Sequence, residues 1–380
     1  LILALVITGF ITSCGPFVVD IKPGEETGVQ PDDKDSLVTE LPTPVVLVTE
    51  LPPSPAHPAS GLIFTNSDGT WWIDGQGEIQ LLIDKELARP SPDGKWIAYM
   101  EEDPTTYMGD IWLMEVSTGV RQNITNTPDR DEVSPQWVPG RPDLILFGSD
   151  TEFGMENSTY PTVVSVDGTG YRILNPDTGG FKGVSPDGEM FFYGGYGGTV
   201  LAHLWGFGEE VFDPSDYDLS VEKLFIPAWS PDGGQIAWFV SGNFLSSETP
   251  QLGIAIFDLE SASAELMHVY EPIGGSMFSD YLVWSPDGEW LAFTTHNEHP
   301  ATSRVPNLWV IRPDGSDEIY IGEGTVPIWR YDGKYLAFQG LNEAQTEEVF
   351  LAETGTWEVS WIDDLPLPER IRFLWDWVHP

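Results

Sequence analysis

The tetrapeptide Ser-Pro-Asp-Gly occurs four times, at 91–94, 185–188, 230–233 and 285–288. Two variants fall in step with it, Val138-Pro139-Gly140 and Arg330-Tyr331-Asp332-Gly333. The turn glycines stand at 94, 140, 188, 233, 288 and 333, at intervals of 46, 48, 45, 55 and 45. A recurrence of this kind marks one repeated supersecondary unit and not a string of unrelated domains. Within the turn, Pro presets φ, Asp tolerates the third position and Gly closes.

The flanks of the turn repeat as well. A Trp precedes it at 137, 229, 284 and 329, and a short apolar run follows, as in Trp96-Ile97-Ala98-Tyr99 or Ile236-Ala237-Trp238-Phe239. These runs are too short for helices and rich in strand formers. Each unit then offers a third strand, such as Asp110–Met114, Gly253–Phe257 or Asn307–Ile311, and after a Gly/Asp turn a fourth. Four strands in roughly 45 residues is the size of a propeller blade.

The two ends predict closure. Gly61–Phe64 reads as a second strand without a first, with Trp71–Asp74 and Ile79–Ile83 after it. The stretch Phe373–Pro380 reads as a first strand without the rest, with Trp375 in the pre-turn Trp position. Pairing them ties the ring and removes open edges. Second strands at 61, 95, 143, 189, 235, 289 and 334 give an all-β, seven-bladed β-propeller of four-stranded antiparallel blades over 61–380. Six blades is the alternative, because the stretch 189–222 is poorly patterned.

These residues resemble the TolB-like propeller family of WD-like repeats, whose hallmark is a Trp-Ser-Pro-Asp-Gly turn followed by an apolar strand. The resemblance covers Gly61 to Pro380. It implies a propeller of the kind found in periplasmic envelope proteins and attached to peptidases. Two departures stand out. TolB carries an α/β domain before six blades, and the residues before 61 here are Pro-rich. Propeller peptidases carry a hydrolase domain, and no second patterned domain is legible here. Fold analogy constrains function poorly.

The N-terminal residues read as an address. The apolar run Leu1–Phe10 suits a signal-peptide core and is too short for a permanent span. It leads into Ile11-Thr12-Ser13-Cys14-Gly15, which resembles the bacterial lipobox. Residues 1–14 are therefore read as a lipoprotein signal peptide, and Cys14 as the lipid attachment site. This is the only Cys in the chain, so no internal disulfide or Cys-based zinc cluster can form. Residues 15–60 hold prolines at 23, 31, 42, 44, 52, 53, 55 and 58 and read as a disordered tether. The expected location is extracytoplasmic, on the bacterial cell membrane through the lipid alone.

Charge narrows the partners. The chain carries 60 Asp and Glu against 17 Lys and Arg, a net charge of −43. Of these, 52 acids and 15 bases lie in 61–380, so the ring itself is acidic. Such a surface repels phosphate backbones and anionic lipid, so nucleic acid is not an expected partner. It also fits a saline habitat. A monomer is expected.

Catalytic motifs are absent: there is no Gly-x-Ser-x-Gly, P-loop or His-Glu-x-x-His. His296-Asn297-Glu298-His299 lacks the further ligands a first-row metal wants. The acid runs Asp129/Asp131/Glu132 and Asp213/Asp216/Asp218 could serve as calcium ligands or a glycosidase pair. With 60 acids, such clusters are expected by chance and read as solvated faces. No catalytic residue, metal ligand or cofactor is assigned, and a structural calcium ion has no identifiable ligand set. Connections between second and third strands form one face of a propeller, and recognition concentrates on such loops. Candidate ligand-face residues are Tyr107, Phe153, Tyr160, Tyr196, Phe244, His296 and His299. The expected function is a protein- or glycan-binding module at the cell envelope. The alternatives are a hydrolase or lyase acting on an extracellular polymer through acids near the central channel, and a structural envelope scaffold.

Overall fold

A computed structural model describes residues 57–377 apart from 86, 151–159, 175–178, 196–197, 205–216, 218, 220, 243–250, 271–280, 296–304, 343–346 and 363–372. The strands form seven separate antiparallel sheets. The first blade holds β1 (Leu62–Asn66), β2 (Gly69–Ile73) and β3 (Ile79–Ile83). Blade 2 holds β4 (Arg89–Pro90), β5 (Trp96–Glu102), β6 (Gly109–Glu115) and β7 (Arg121–Asn123). Blade 3 holds β8 (Asp131–Val138), β9 (Arg141–Asp150), β10 (Tyr160–Ser165) and β11 (Arg172–Ile173). Blade 4 shows three described strands, β12 (Gly179–Val184), β13 (Met190–Gly195) and β14 (Gly198–His203). Blade 5 holds β15 (Lys223–Trp229), β16 (Gln235–Gly242), β17 (Gln251–Asp258) and β18 (Ser263–Tyr270). Blade 6 holds β19 (Leu282–Trp284), β20 (Leu291–Thr295), β21 (Asn307–Ile311) and β22 (Ile319–Glu323). Blade 7 holds β23 (Thr325–Trp329), β24 (Tyr335–Leu341), β25 (Glu347–Glu353) and β26 (Val359–Trp361). The last strand, β27 (Phe373–Trp377), returns to pair with β1. The count is therefore seven, and the weakly patterned 189–222 stretch belongs to a blade of its own.

The Ser-Pro-Asp-Gly turns form because each is a closed polar relay. Ser230 Oγ donates to Asp232 Oδ1 at 2.6 Å and accepts from the Gln235 backbone N–H at 2.9 Å. The Gly233 N–H donates to the Ser230 carbonyl at 2.9 Å, with φ at +74°, where Gly carries no Cβ penalty. Ser91, Ser185 and Ser285 repeat the Ser–Asp bond and the bond from the residue five positions on. The inner strands carry a second device. In β8, β15 and β23 a Pro stands two residues before the Trp, and each strand has a register shift at that point. Pro cannot donate to a ladder, so the chain bulges there.

Packing explains the ring. Alternate side chains of each sheet point to opposite neighbours, and the core divides into one apolar cluster per seam. Ile63, Trp72 and Leu82 meet Ile97, Tyr99 and Met114 between blades 1 and 2. Ala98, Ile111 and Leu113 meet Ile145, Phe147 and Val164 between blades 2 and 3. Equivalent clusters fill the remaining five seams, including the last, where Phe64, Ile73 and Trp377 of blade 1 meet Ala337, Val349 and Leu351 of blade 7. Aromatic contacts add direction: Phe192 of blade 4 stacks on Trp229 of blade 5 at 5.1 Å between centroids.

The pre-turn Trp residues fall into two groups. Trp137 Nε1 donates to the Arg89 carbonyl of the preceding blade at 2.9 Å, and Trp284 Nε1 to the Ala228 carbonyl at 3.0 Å. Trp229 Nε1 and Trp329 Nε1 are buried without a hydrogen-bond partner among the described residues. At the closure, register corrects the sequence reading of Trp375. Trp377 pairs opposite Leu62, as Trp284 pairs opposite Leu291 and Trp329 opposite Leu336. Trp377 is 1% exposed, and its Nε1 donates to the Ser60 carbonyl at 2.7 Å. The segment 57–60 joins the same seam: Ala59 is buried in it, and the Pro58 carbonyl accepts from Arg330 Nη1 at 3.0 Å. Arg330 is the residue that replaces Ser in the blade 7 turn.

Candidate functional site

The antiparallel order places the Ser-Pro-Asp-Gly turns on one face of the ring. The second-to-third-strand connections and the blade crossings lie on the other. Two of the expected ligand-face residues are described there. Tyr107, between β5 and β6, is 65% exposed, the highest value among the exposed large apolar side chains. Tyr160 opens β10 and is half-buried. Phe153, Tyr196, Phe244, His296 and His299 lie outside the described residues, as do Cys14 and Asp213, Asp216 and Asp218.

Tyr107 is exposed by construction. Asp103 Oδ1 accepts from the backbone N–H of Thr105 at 2.7 Å and of Thr106 at 3.0 Å. Those two bonds hold the Asp103 carboxyl below its usual pKa range. The Tyr107 N–H then donates to the Asp103 carbonyl at 2.8 Å, and the Asp103 N–H to the Met108 carbonyl at 2.9 Å. Tyr107 takes φ +60°, a left-handed conformation uncommon for a non-Gly residue. The turn thus satisfies its own backbone and points a large aromatic at solvent.

The next residue, Gly109, joins this turn to the blade crossing. Its N–H donates to Asp131 Oδ1 at 2.8 Å. A Cβ at Gly109 would stand 2.8 Å from both the Glu132 carbonyl and the Met100 side chain, so only Gly lets the two backbones approach. The crossing from β7 to β8 is shaped by polar side chains. Asn123 Oδ1 accepts from the N–H groups of Thr125 and Asn126, and Asp110 Oδ1 from the Thr127 N–H at 3.0 Å. Asp110 Oδ2 accepts from Asn123 Nδ2 at 2.8 Å, and the Ile111 N–H donates to Thr125 Oγ1 at 3.0 Å.

Under this frame lies Glu132. Its side chain is completely buried, which corrects the reading of the 129–132 run as a solvated face. Asp129 is exposed and Asp131 half-buried, so the run splits between environments. Glu132 Oε1 accepts from Thr127 Oγ1 and from Tyr171 Oη, the latter at 3.0 Å. Tyr171 Oη also lies 2.9 Å from Ser149 Oγ. Glu132 Oε2 is buried with no partner among the described residues. Burial pushes the Glu132 carboxyl up to about 7, and the nearby Asp110 charge adds to the rise. The bonds from Thr127 and Tyr171, with the Thr125 hydroxyl nearby, oppose it. Burial also pushes the Tyr171 hydroxyl up to about 12, so it stays a donor.

Sequence reasoning passed over Glu132 because the residue that shields it, Tyr171, is 39 positions away. The available signal was local: the run ends directly at the inner strand whose Pro135 and Trp137 mark the blade. Among the described residues, no three His, Cys, Asp or Glu side chains are grouped to hold a metal, and no helix is long and apolar enough to cross a membrane.

No family model matches the chain, and no curated protein matches it. Solved structures do. The chain is similar to a structure from a study of two prolyl endopeptidases, with 13% identity over 83% of this chain and 50% of that one, at a TM-score of 0.55. It is distantly similar to an oligogalacturonate lyase in complex with manganese, at 15% identity over 72% and 73% of the two chains and a TM-score of 0.47. It is also distantly similar to TolB from Acinetobacter baumannii, at 14% identity over 78% and 77%, with a TM-score of 0.41. Likeness at these identities speaks to the β-propeller fold alone.

Proposed function

We propose that the ring is a binding module whose loop face holds a protein or glycan partner at the bacterial cell envelope. In this reading Cys14 carries the lipid, and the residues between it and the packed 57–60 segment space the ring from the membrane. The observation that carries the proposal is the Tyr107 turn. An aromatic side chain left in solvent gains nothing for folding, yet two Asp103 bonds and a left-handed backbone hold it there. A rigid aromatic on a satisfied turn loses little entropy on contact, which is how binding hot spots are built. Tyr offers both an apolar face for stacking and a hydroxyl for hydrogen bonding.

The test uses the lipid-free ring against arrays of envelope polysaccharides and envelope proteins, followed by titration of any ligand found. Tyr107→Ala should weaken that ligand by about tenfold or more, the loss of one hot-spot side chain. Its thermal midpoint should stay close to the parent value, because most of the side chain is in solvent. A ligand bound equally well by parent and variant would refute the reading. So would silence across both arrays.

A further inference from the structure

A carboxyl that is fully buried needs donors for both oxygens if it is to be ionised. Glu132 has them for one oxygen only. Oε1 accepts from Thr127 Oγ1 and Tyr171 Oη, and Oε2 is buried and unpartnered. Neutral, the acid leaves one unpaired polar atom there; ionised, it leaves an unpaired buried charge, which costs more.

The groups around it do not offer a counter-charge by direct contact. From β6 comes Asp110, an acid whose own bonds go to Asn123, Thr125 and Thr127. From β8 itself comes Asp131, bonded to the Gly109 N–H. Asp150 stands opposite Asp131 on β9, one residue beyond the Ser149 that pairs with Glu132. The stretch before β11 supplies Tyr171. On the β5 side stand Met100 and Glu101, the latter paired with Lys85 at 3.3 Å. The nearest base in sequence, Arg130, acts electrostatically on Tyr171, and its Nη1 is buried without a partner. Acids outnumber bases around the buried group, and ionising it adds one more negative charge.

What moves if it ionises follows from the same bonds. Glu132 is tied through Thr127 to Asp110, near the start of β6. Its own carbonyl packs against Gly109, and its neighbour Asp131 holds the Gly109 N–H. Gly109 directly follows the Asp103–Met108 turn that displays Tyr107. Water or a cation drawn in to solvate Oε2 must part blade 2 from blade 3 at this point, and the seam has no slack at Gly109.

We propose that Glu132 is a proton latch beneath the recognition face: neutral, it keeps the seam between blades 2 and 3 closed and the Tyr107 turn set, and its ionisation loosens that turn. The idea rests on the reading of Tyr107 as a contact residue, and it makes the partner's capture strongest in mildly acidic surroundings. The pH window is the one set by the raised Glu132 carboxyl, centred near neutrality.

Amide exchange of the parent ring, corrected for intrinsic rates, tests this without any ligand. Protection of the Asp103–Asp110 amides should fall by about tenfold or more from mildly acidic to mildly alkaline solution, as linkage to one proton requires. Glu132→Gln, which cannot ionise, should hold its protection constant across the same range. Protection in the parent that ignores pH would overturn the latch, and so would the same pH response in Glu132→Gln. Should that variant fail to fold, the parent decides alone: its infrared spectrum must show a protonated carboxyl band that disappears near neutral pH, and a band already absent in mild acid sinks the proposal. These outcomes stand apart from the recognition reading, which falls if Tyr107→Ala leaves ligand capture intact or if both arrays stay silent.

Discussion

Replacing Trp377 by Ala should open the ring at its last seam. The indole is 1% exposed and lies among Ala59, Leu62, Phe64 and Ile73 of blade 1 and Ala337, Val349 and Leu351 of blade 7. Removing a fully buried Trp costs about 3–5 kcal/mol through lost transfer energy and the cavity left behind. Its Nε1 bond to the Ser60 carbonyl, at 2.7 Å, is buried, and stranding that carbonyl adds about 1–3 kcal/mol. The two terms overlap, so about 4 kcal/mol is the working figure, a large part of the stability of an ordinary domain. Trp377→Phe separates them, because it keeps most of the apolar contact and loses the bond; about 1–2 kcal/mol is expected. Urea unfolding followed by far-ultraviolet circular dichroism gives the midpoints. Trp361→Ala is the control, since that indole is 46% exposed on the outermost strand of blade 7. A Trp377→Ala midpoint that matches the Trp361→Ala midpoint would show that β27 does not bear the closure, and the argument from register would fail with it.

Removing residues 373–380 altogether should leave β1, a strand whose five residues are all buried, as an open edge, and the ring should self-associate in analytical ultracentrifugation. Gly109→Ala should lower the thermal midpoint by an amount worth about 1–3 kcal/mol, because its Cβ would meet the Glu132 carbonyl. Ser230→Ala should cost about 1–3 kcal/mol by stranding the Gln235 N–H, measured by urea midpoint, and Ser185→Ala should behave alike. Stability should peak in mild acid. The Ser-bonded carboxyls of Asp187 and Asp232 sit below their usual 3.8, so their contribution is present above that value and is lost as pH falls through their folded pKa values. Glu132 runs the other way: raised from 4.5 to about 7, it contributes fully below 4.5, and that contribution is lost as pH rises to about 7. A urea midpoint that peaks in alkaline solution would contradict both assignments.

The blades were legible because their chemistry is local. Each Ser-Pro-Asp-Gly turn closes its relay within six residues, so the residues that make the bonds are neighbours in the chain. Seam packing follows a local rule as well: alternation along a strand sends successive apolar side chains to opposite neighbours. Trp375 and Trp377 expose the limit of that reasoning. They share a parity within one strand, so alternation cannot choose between them, and the choice belongs to the pairing of Trp377 with Leu62, more than 300 residues away. Glu132 shows a different limit. In a chain with 60 acids, one more Glu beside two Asp carries no signal. Its burial depends on Tyr171 reaching across from the outer edge of blade 3, and on Gly109 letting blade 2 come close. The position of Tyr107 between a second and a third strand was legible from the apolar runs on either side of it. That the turn is locked depends on Asp103, whose carboxyl takes two backbone N–H groups, a geometry the residue type alone does not specify.

The two kinds of pre-turn Trp have a mechanical consequence. Where Trp137 and Trp284 clasp a carbonyl of the preceding blade, a pull along the hoop must break a directional bond, and such a joint resists until it snaps. Where Trp229 and Trp329 are held by contact alone, the joint can creep, one aromatic surface sliding over another. A ring put under tension would therefore not give way evenly. Its compliance would collect at the seams between blades 4 and 5 and between blades 6 and 7, while the clasped joints between blades 2 and 3 and between blades 5 and 6 kept their shape.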